Sequence, residues 1–106
     1  MSREIQLAPL FGAFPADGEQ AAAFRLNEIN PCFAAQHEIV LDFAGVRIVN
    51  SSFANALVAP LVERHGEEAL KKLRFRNCNP VVQVLLEGAI SLGLQRAEEK
   101  GKHSSI

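Results

Sequence analysis

Residues 38–43 read Glu-Ile-Val-Leu-Asp-Phe, and a short connection later Asn50-Ser51-Ser52 opens a stretch of helical period. The first run is apolar, rich in β-branched residues and of strand length, so it is expected to be a strand buried on both faces and ended by Ala44-Gly45. Residues 46–49 form an extended connection. Three successive residues able to cap a helix then precede a helix over about 52–65. In that helix Phe53, Leu57 and Leu61 share one stripe, Ala54, Val58 and Val62 share the next, and Asn55 and Glu63 face outward. Pro60 predicts a kink, and Gly66 a stop. A strand that delivers its chain into a helix in this way is the building unit of α/β sheets.

The flanking segments repeat the unit. Residues 3–8 alternate polar and apolar, with Ile5 and Leu7 on one face, and read as a short half-buried strand. A loop follows from Pro9 to Pro15. Asp17 with Gln20 then makes an approximate capping box before Ala22, Leu26, Ile29 and Phe33, a helix that Pro31 should end near Asn30. Residues 73–78 alternate again, Leu73 and Phe75 inward. Asn79-Pro80 starts a helix whose inward positions are Val82, Leu85, Leu86 and Ala89 and which should stop near Gly93. The order is therefore β-α-β-α-β-α, which predicts one small α/β domain over residues 1–95. Its sheet is an open parallel or mixed one of three to four strands, packed by helices. Residues 96–106 are charged, lack a core pattern and are expected to be a flexible tail. With 106 residues, 48% of them hydrophobic, the chain suits a single core without disulfide or metal staples.

A net charge of -1 with interspersed signs gives no basic footprint for nucleic acid. The start of the chain lacks a signal-peptide apolar stretch and no run reaches the length of a membrane span, so the expectation is a cytoplasmic protein without membrane contact. Cys32 and Cys78 lack metal or redox spacing and read as reduced, partly buried thiols. His37, His65 and His103 are scattered and make no ligand pair, His65 serving the negative end of its helix. No glycine-rich phosphate loop occurs, and neither a cofactor nor a metal is expected. Arg74 and Arg76, outward on their strand, are either solvated or meet an acidic partner. Asp42, at a strand end, could act as a general base or metal ligand, but it lacks a neighbouring histidine or second acid. Bracing the switch loop that carries Asn50-Ser51-Ser52 is the better reading, and no catalytic residue is expected.

Sites in open α/β sheets gather where a strand's carboxyl end feeds a helix, here from Asp42 to Phe53. A helix N-terminus offers unpaired N–H groups and partial positive charge. A phosphate on Ser51 or Ser52 would meet that end favourably while adding about -1.5 to -2 charges to the surface. The plainer reading is that Asn50 or Ser51 only caps the helix. Phe53 is either buried as core, the default for its type, or exposed as a docking anchor.

The stretch from Ile39 to Gly66, then Leu73 to Gly93, resembles the STAS domain, the fold of bacterial anti-sigma-factor antagonists. There a hydrophobic strand ending in Asp leads through a short connection to an Asp-Ser-Ser/Thr-Gly turn, a helix, a further strand and a helix often begun by Pro. The combination of Asp42-Phe43, Gly45-Val46, Ser52-Phe53-Ala54, Gly66, a basic-apolar strand ending in Asn77 and the later Pro80 is similar to the group of STAS-like domains of unknown function. The resemblance covers roughly residues 38–94, and a final strand and helix of the full STAS domain look shortened or absent. It puts Asn50 in the place of the turn's Asp, Ser51 in that of the first Ser, Ser52 in that of the residue phosphorylated by a partner kinase, and Phe53 in that of Gly. It implies a non-catalytic bacterial partner-switching adaptor. Its expected partner is a protein, a serine kinase of the histidine-kinase-like ATPase type, with Asp42, Asn50, Phe53 and Asn55 at the switch and docking surface. A phosphorylation-independent interaction module is the alternative.

Overall fold

The computed structural model describes the backbone of residues 2–104 and the side chains of residues 2–100. Three strands, β1 (Ser2–Gln6), β2 (Glu38–Asp42) and β3 (Leu73–Arg76), form a parallel sheet in the order β1-β2-β3. Each crossover is helical: α1 (Ala8–Phe11), α2 (Gly18–Phe24) and α3 (Asn30–Ala34) lead to β2, α4 (Ser51–His65) and α5 (Glu67–Lys72) lead to β3, and α6 (Pro80–Ser104) follows it. The α/β order and the open sheet are those the periodicity predicts, with all strands parallel. The addition is α1, inside a stretch expected to be loop.

The register assigns the two faces of the sheet. Ile5 pairs with Leu41 and Leu41 with Phe75, while Ile39 pairs with Leu73, and these side chains point to one side. That side carries the core, in which Ile39, Leu41 and Leu73 join Phe53, Leu57 and Leu61 of α4 and Val82, Leu86 and Ala89 of α6. The other face holds Glu4, Glu38, Val40, Arg74 and Arg76. Here Arg74 pairs with Glu38 at 3.0 Å and Arg76 with Glu4, so both arginines find acids within the chain. The expectation that residues 38–43 are buried on both faces is thus corrected: Val40 is only half-buried, and cross-strand ion pairs stand where a second helical layer would lie.

Pro31 does not end the first long helical segment. Asp17 caps α2 by accepting from the N–H groups of Glu19 at 2.8 Å and Gln20 at 3.3 Å. The path then widens into a π turn over Arg25–Ile29, where the Asn30 N–H donates to the Arg25 carbonyl. Pro31 directly follows this wider turn, which carries the helical path past a residue that has no N–H to donate. The same turn solves the problem that Pro60 makes in α4. A proline there leaves the Ala56 carbonyl without its helical donor, and the Arg25 guanidinium supplies one, Nε to O at 2.9 Å. One arginine thereby ties the π turn to the interrupted helix. Burial pushes its pKa down.

The helix expected to stop near Gly93 continues to Ser104. Gly93 is buried against α4, and a Cβ there would lie 2.7 Å from the Ala59 carbonyl oxygen and 2.7 Å from the Val62 Cβ. The glycine is a place of close helix approach rather than a helix end, a distinction that its residue type alone does not make. Beyond it, Lys100 reaches Glu63 at 2.9 Å. The last part of the expected tail, residues 105–106, lies outside the described residues.

Candidate functional site

At the carboxyl end of the sheet two loop segments run side by side, one leading into α2 and one into α4. The N–H groups of Arg47 and Ile48 donate to the Ala13 carbonyl at 2.8 and 3.3 Å, and the Asn50 N–H donates to Pro15 at 3.4 Å. The Asn50 side chain completes the lacing. Its Oδ1 accepts from the Phe53 N–H at 2.8 Å, capping α4, while its Nδ2 donates to the Ala16 carbonyl at 2.9 Å. An aspartate could perform the first task but, ionised, has no proton for the second, which gives a physical reason for an amide at this turn. A third segment joins through Asn79, whose Nδ2 donates to the Arg47 carbonyl at 2.8 Å and whose Oδ1 accepts from the Val82 N–H at 2.8 Å, capping α6.

Ser51 and Ser52 are the first two residues of α4, and both are exposed. Since Asn50 does the capping, neither hydroxyl is committed to a hydrogen bond among the described residues. Ser52 faces the start of α2 so closely that a Cβ on Gly18 would lie 2.6 Å from its Oγ and 3.1 Å from its carbonyl oxygen. Ser52, Gly18, Asp17 and Glu19 line one shallow depression. The partnership of residues 13–18 with this turn is absent from any local motif, because it joins positions more than thirty apart in sequence.

The other residues named from sequence separate into different places. Phe53 is 1% exposed, and its ring meets that of Phe11 edge-on at 5.1 Å. The docking-anchor alternative for its ring is therefore corrected: α4 turns Phe53 into the core, and only its N–H serves the turn. Asn55 is half-buried one turn further on. Asp42 is buried and braces different loops from the serine turn. Its Oδ1 accepts from Asn77 Nδ2 at 3.0 Å and from the Ala44 N–H at 2.8 Å, linking the end of β2 to that of β3. Asn77 holds a left-handed conformation, φ 57°, which asparagine tolerates better than most residues.

These bonds, the Asn77 amide foremost and the Ala44 N–H next, hold the Asp42 carboxyl below the usual carboxylate range, against the opposing effect of burial, with Arg76 adding to the depression. A folded-state pKa below the unfolded one gives stability that is fully present above the unfolded value and is lost as the pH falls through the folded value. In urea titrations between about pH 7 and about pH 3, Asp42→Asn is expected to be less stable than wild type at the neutral end, with the gap closing at the acid end. A gap independent of pH would contradict this assignment.

Cys32 is buried and Cys78 half-buried, and the Cys78 thiol is pushed up first by burial and then by Asp42, which suits it poorly to nucleophilic work. His65 lies against the Phe33 ring at 5.2 Å, and burial, followed by Arg64 and Lys72, pushes its pKa down. It lines a depression with Arg25, Pro60 and Lys100 rather than with Asp42. Among the described residues no group of three His, Cys, Asp or Glu is placed to hold a metal ion, and no helix is long and apolar enough to cross a membrane.

The model of a family described as "STAS-like domain of unknown function" matches residues 20–83, well over half of the chain. The matched stretch contains the serine turn, α4 and all of β2 and β3. No curated protein and no solved structure matches the chain.

Proposed function

The chain belongs to the family of STAS-like domains of unknown function, and from that premise we propose that it is a non-catalytic, cytoplasmic partner-switching adaptor of bacterial type, controlled by phosphorylation of Ser52. The observation that carries the reading is the pairing of an exposed, uncommitted hydroxyl with a tightly laced surface around it. The kinase class is the histidine-kinase-like ATPase serine kinase that the resemblance to anti-sigma-factor antagonists implies. Ser52 is the preferred acceptor and Ser51 the second.

The physical chemistry of the switch is local. A phosphoryl group on Ser52 brings about -1.5 to -2 charges and three acceptor oxygens to the start of α4. The N-terminus of that helix favours the charge, whereas Asp17 and Glu19 on the facing segment oppose it. Gly18 stands so close to the Ser52 hydroxyl that added phosphate oxygens crowd the start of α2. Residues 13–18 therefore move away from the serine turn, and a partner that docks on the laced surface loses its fit.

The test is intact-mass measurement after incubation of the protein with ATP and serine kinases of the histidine-kinase-like ATPase type from the same genome. Wild type is expected to gain one phosphate and Ser52→Ala to gain none. An unmodified wild type would sink the switch, and modification of Ser52→Ala to the same extent would move the acceptor to Ser51.

A further inference from the structure

We propose that the laced surface at the carboxyl end of the sheet is a protein-docking platform anchored by Phe14, Ile48 and Val81, and that it fits a protein segment that presents apolar side chains together with lysine or arginine. Each of the three segments tied together by Ala13, Arg47 and Asn79 carries one large apolar side chain outward. Phe14 is 62% exposed, Ile48 49% and Val81 49%. A loop that projects a phenylalanine into water gains nothing for its own core from that ring, and large apolar groups left exposed on segments bonded to one another mark interaction sites. The hydrogen bonds from Arg47, Ile48 and Asn50 to residues 13–16 hold the anchors on fixed backbone, so little conformational freedom remains to be lost on docking.

Charge on the platform selects the partner. Asp17 and Glu19 are exposed at the margin beside Ser52, and both fall on the side of the platform where α2 begins. They call for lysine or arginine on the facing surface. The exposed Arg47, which has no acid partner among the described residues, lies between the Phe14 and Val81 segments and adds a place for one carboxylate or carbonyl group. Phe53, the aromatic residue nearest the serines in sequence, contributes nothing to this surface.

The proposal takes its class of partner, a protein, from the adaptor reading, but it does not need phosphorylation. Panning a random peptide library on the folded, unphosphorylated protein tests it. The expected winners combine aromatic or branched apolar residues with lysine or arginine. Their affinity is expected to fall at least tenfold in Phe14→Ser and in Ile48→Ser, and to stay within twofold in Leu94→Ser, a control at an exposed apolar residue of α6. Unchanged melting temperatures show that the variants fold, as expected for exposed positions. Acidic winners, winners that bind all variants alike, or no enrichment over a blank surface would each overturn the platform. A kinase that leaves Ser52 unmodified removes the switch without changing any of these outcomes.

Discussion

Phe53→Ala is expected to lower the unfolding free energy by about 3–5 kcal/mol, one of the largest effects any single truncation can have in a domain of this size. The ring is 1% exposed, and it joins α4 to the small helix α1 through the edge-on contact with Phe11, which in turn meets Phe24 of α2 edge-on at 5.4 Å. Its removal leaves a cavity where three helices converge beneath the serine turn. Phe11 and Phe24 cannot collapse into that space without shifting the segment that carries Gly18. Urea denaturation of the two proteins measures the difference. A loss below about 1 kcal/mol would mean that the ring is not in the core, and it would return Phe53 to the surface as a possible docking group.

Gly93→Val is expected to cost about 3 kcal/mol or somewhat more, although valine is the better helix former. The new Cβ would start 2.7 Å from a backbone carbonyl oxygen and 2.7 Å from a Cβ of α4, neither of which can swing aside as the tip of a flexible chain would. The two helices must separate along the contact that closes the core. Gly88 is the internal comparison, since nothing lies within 4 Å of its would-be Cβ. Gly88→Ala should therefore stabilise the protein, by about 0.5–1 kcal/mol through the lost freedom of the unfolded chain. Opposite signs at these two glycines in thermal or urea melts are the expected result. Equal signs would contradict the packing of α6 on α4.

The part of the fold legible in sequence is the part set by local period and capping. Residues 38–43 announce β2, the stripes of Phe53 and Leu57 announce α4, and Asn50 and Asn79 announce the starts of α4 and α6, each by the chemistry of its own side chain. What escapes a local reading depends on distant partners. Pro31 looks like a stop because the π turn that accommodates it involves no distinctive residue, and Gly93 looks like a stop because its neighbours on α4 are some thirty residues away. The exposed second face of the sheet is hidden for the same reason. A run such as Ile39-Val40-Leu41 gives no sign that Val40 lies beside ion pairs between strands instead of beneath a helix.

The candidate site divides along the same line. Asn50, Ser51 and Ser52 stand where their sequence places them, and Ser52 is exposed at the start of α4. Gly18, Ala16 and Ala13, which give the turn its setting, are thirty or more positions upstream and carry no signal of their own. Asp42 joins the ends of β2 and β3 instead of bracing the serine turn, because Asn77, its strongest partner, comes from the end of the next strand. The switch proposed for Ser52 therefore rests less on the serine itself than on the contacts across from it.

The most direct test of that proposal needs no kinase. Phosphoserine can be installed at position 52 by genetic encoding, and amide hydrogen exchange can then be followed by NMR in the modified and unmodified proteins. The Arg47 and Ile48 amides, which donate to Ala13, are expected to exchange at least tenfold faster with the phosphate present, while those of Ile39 and Leu41 in β2 keep their rates. Unchanged exchange at Arg47 and Ile48 would contradict the account, since a phosphate that leaves residues 13–18 in place cannot switch the surface they form.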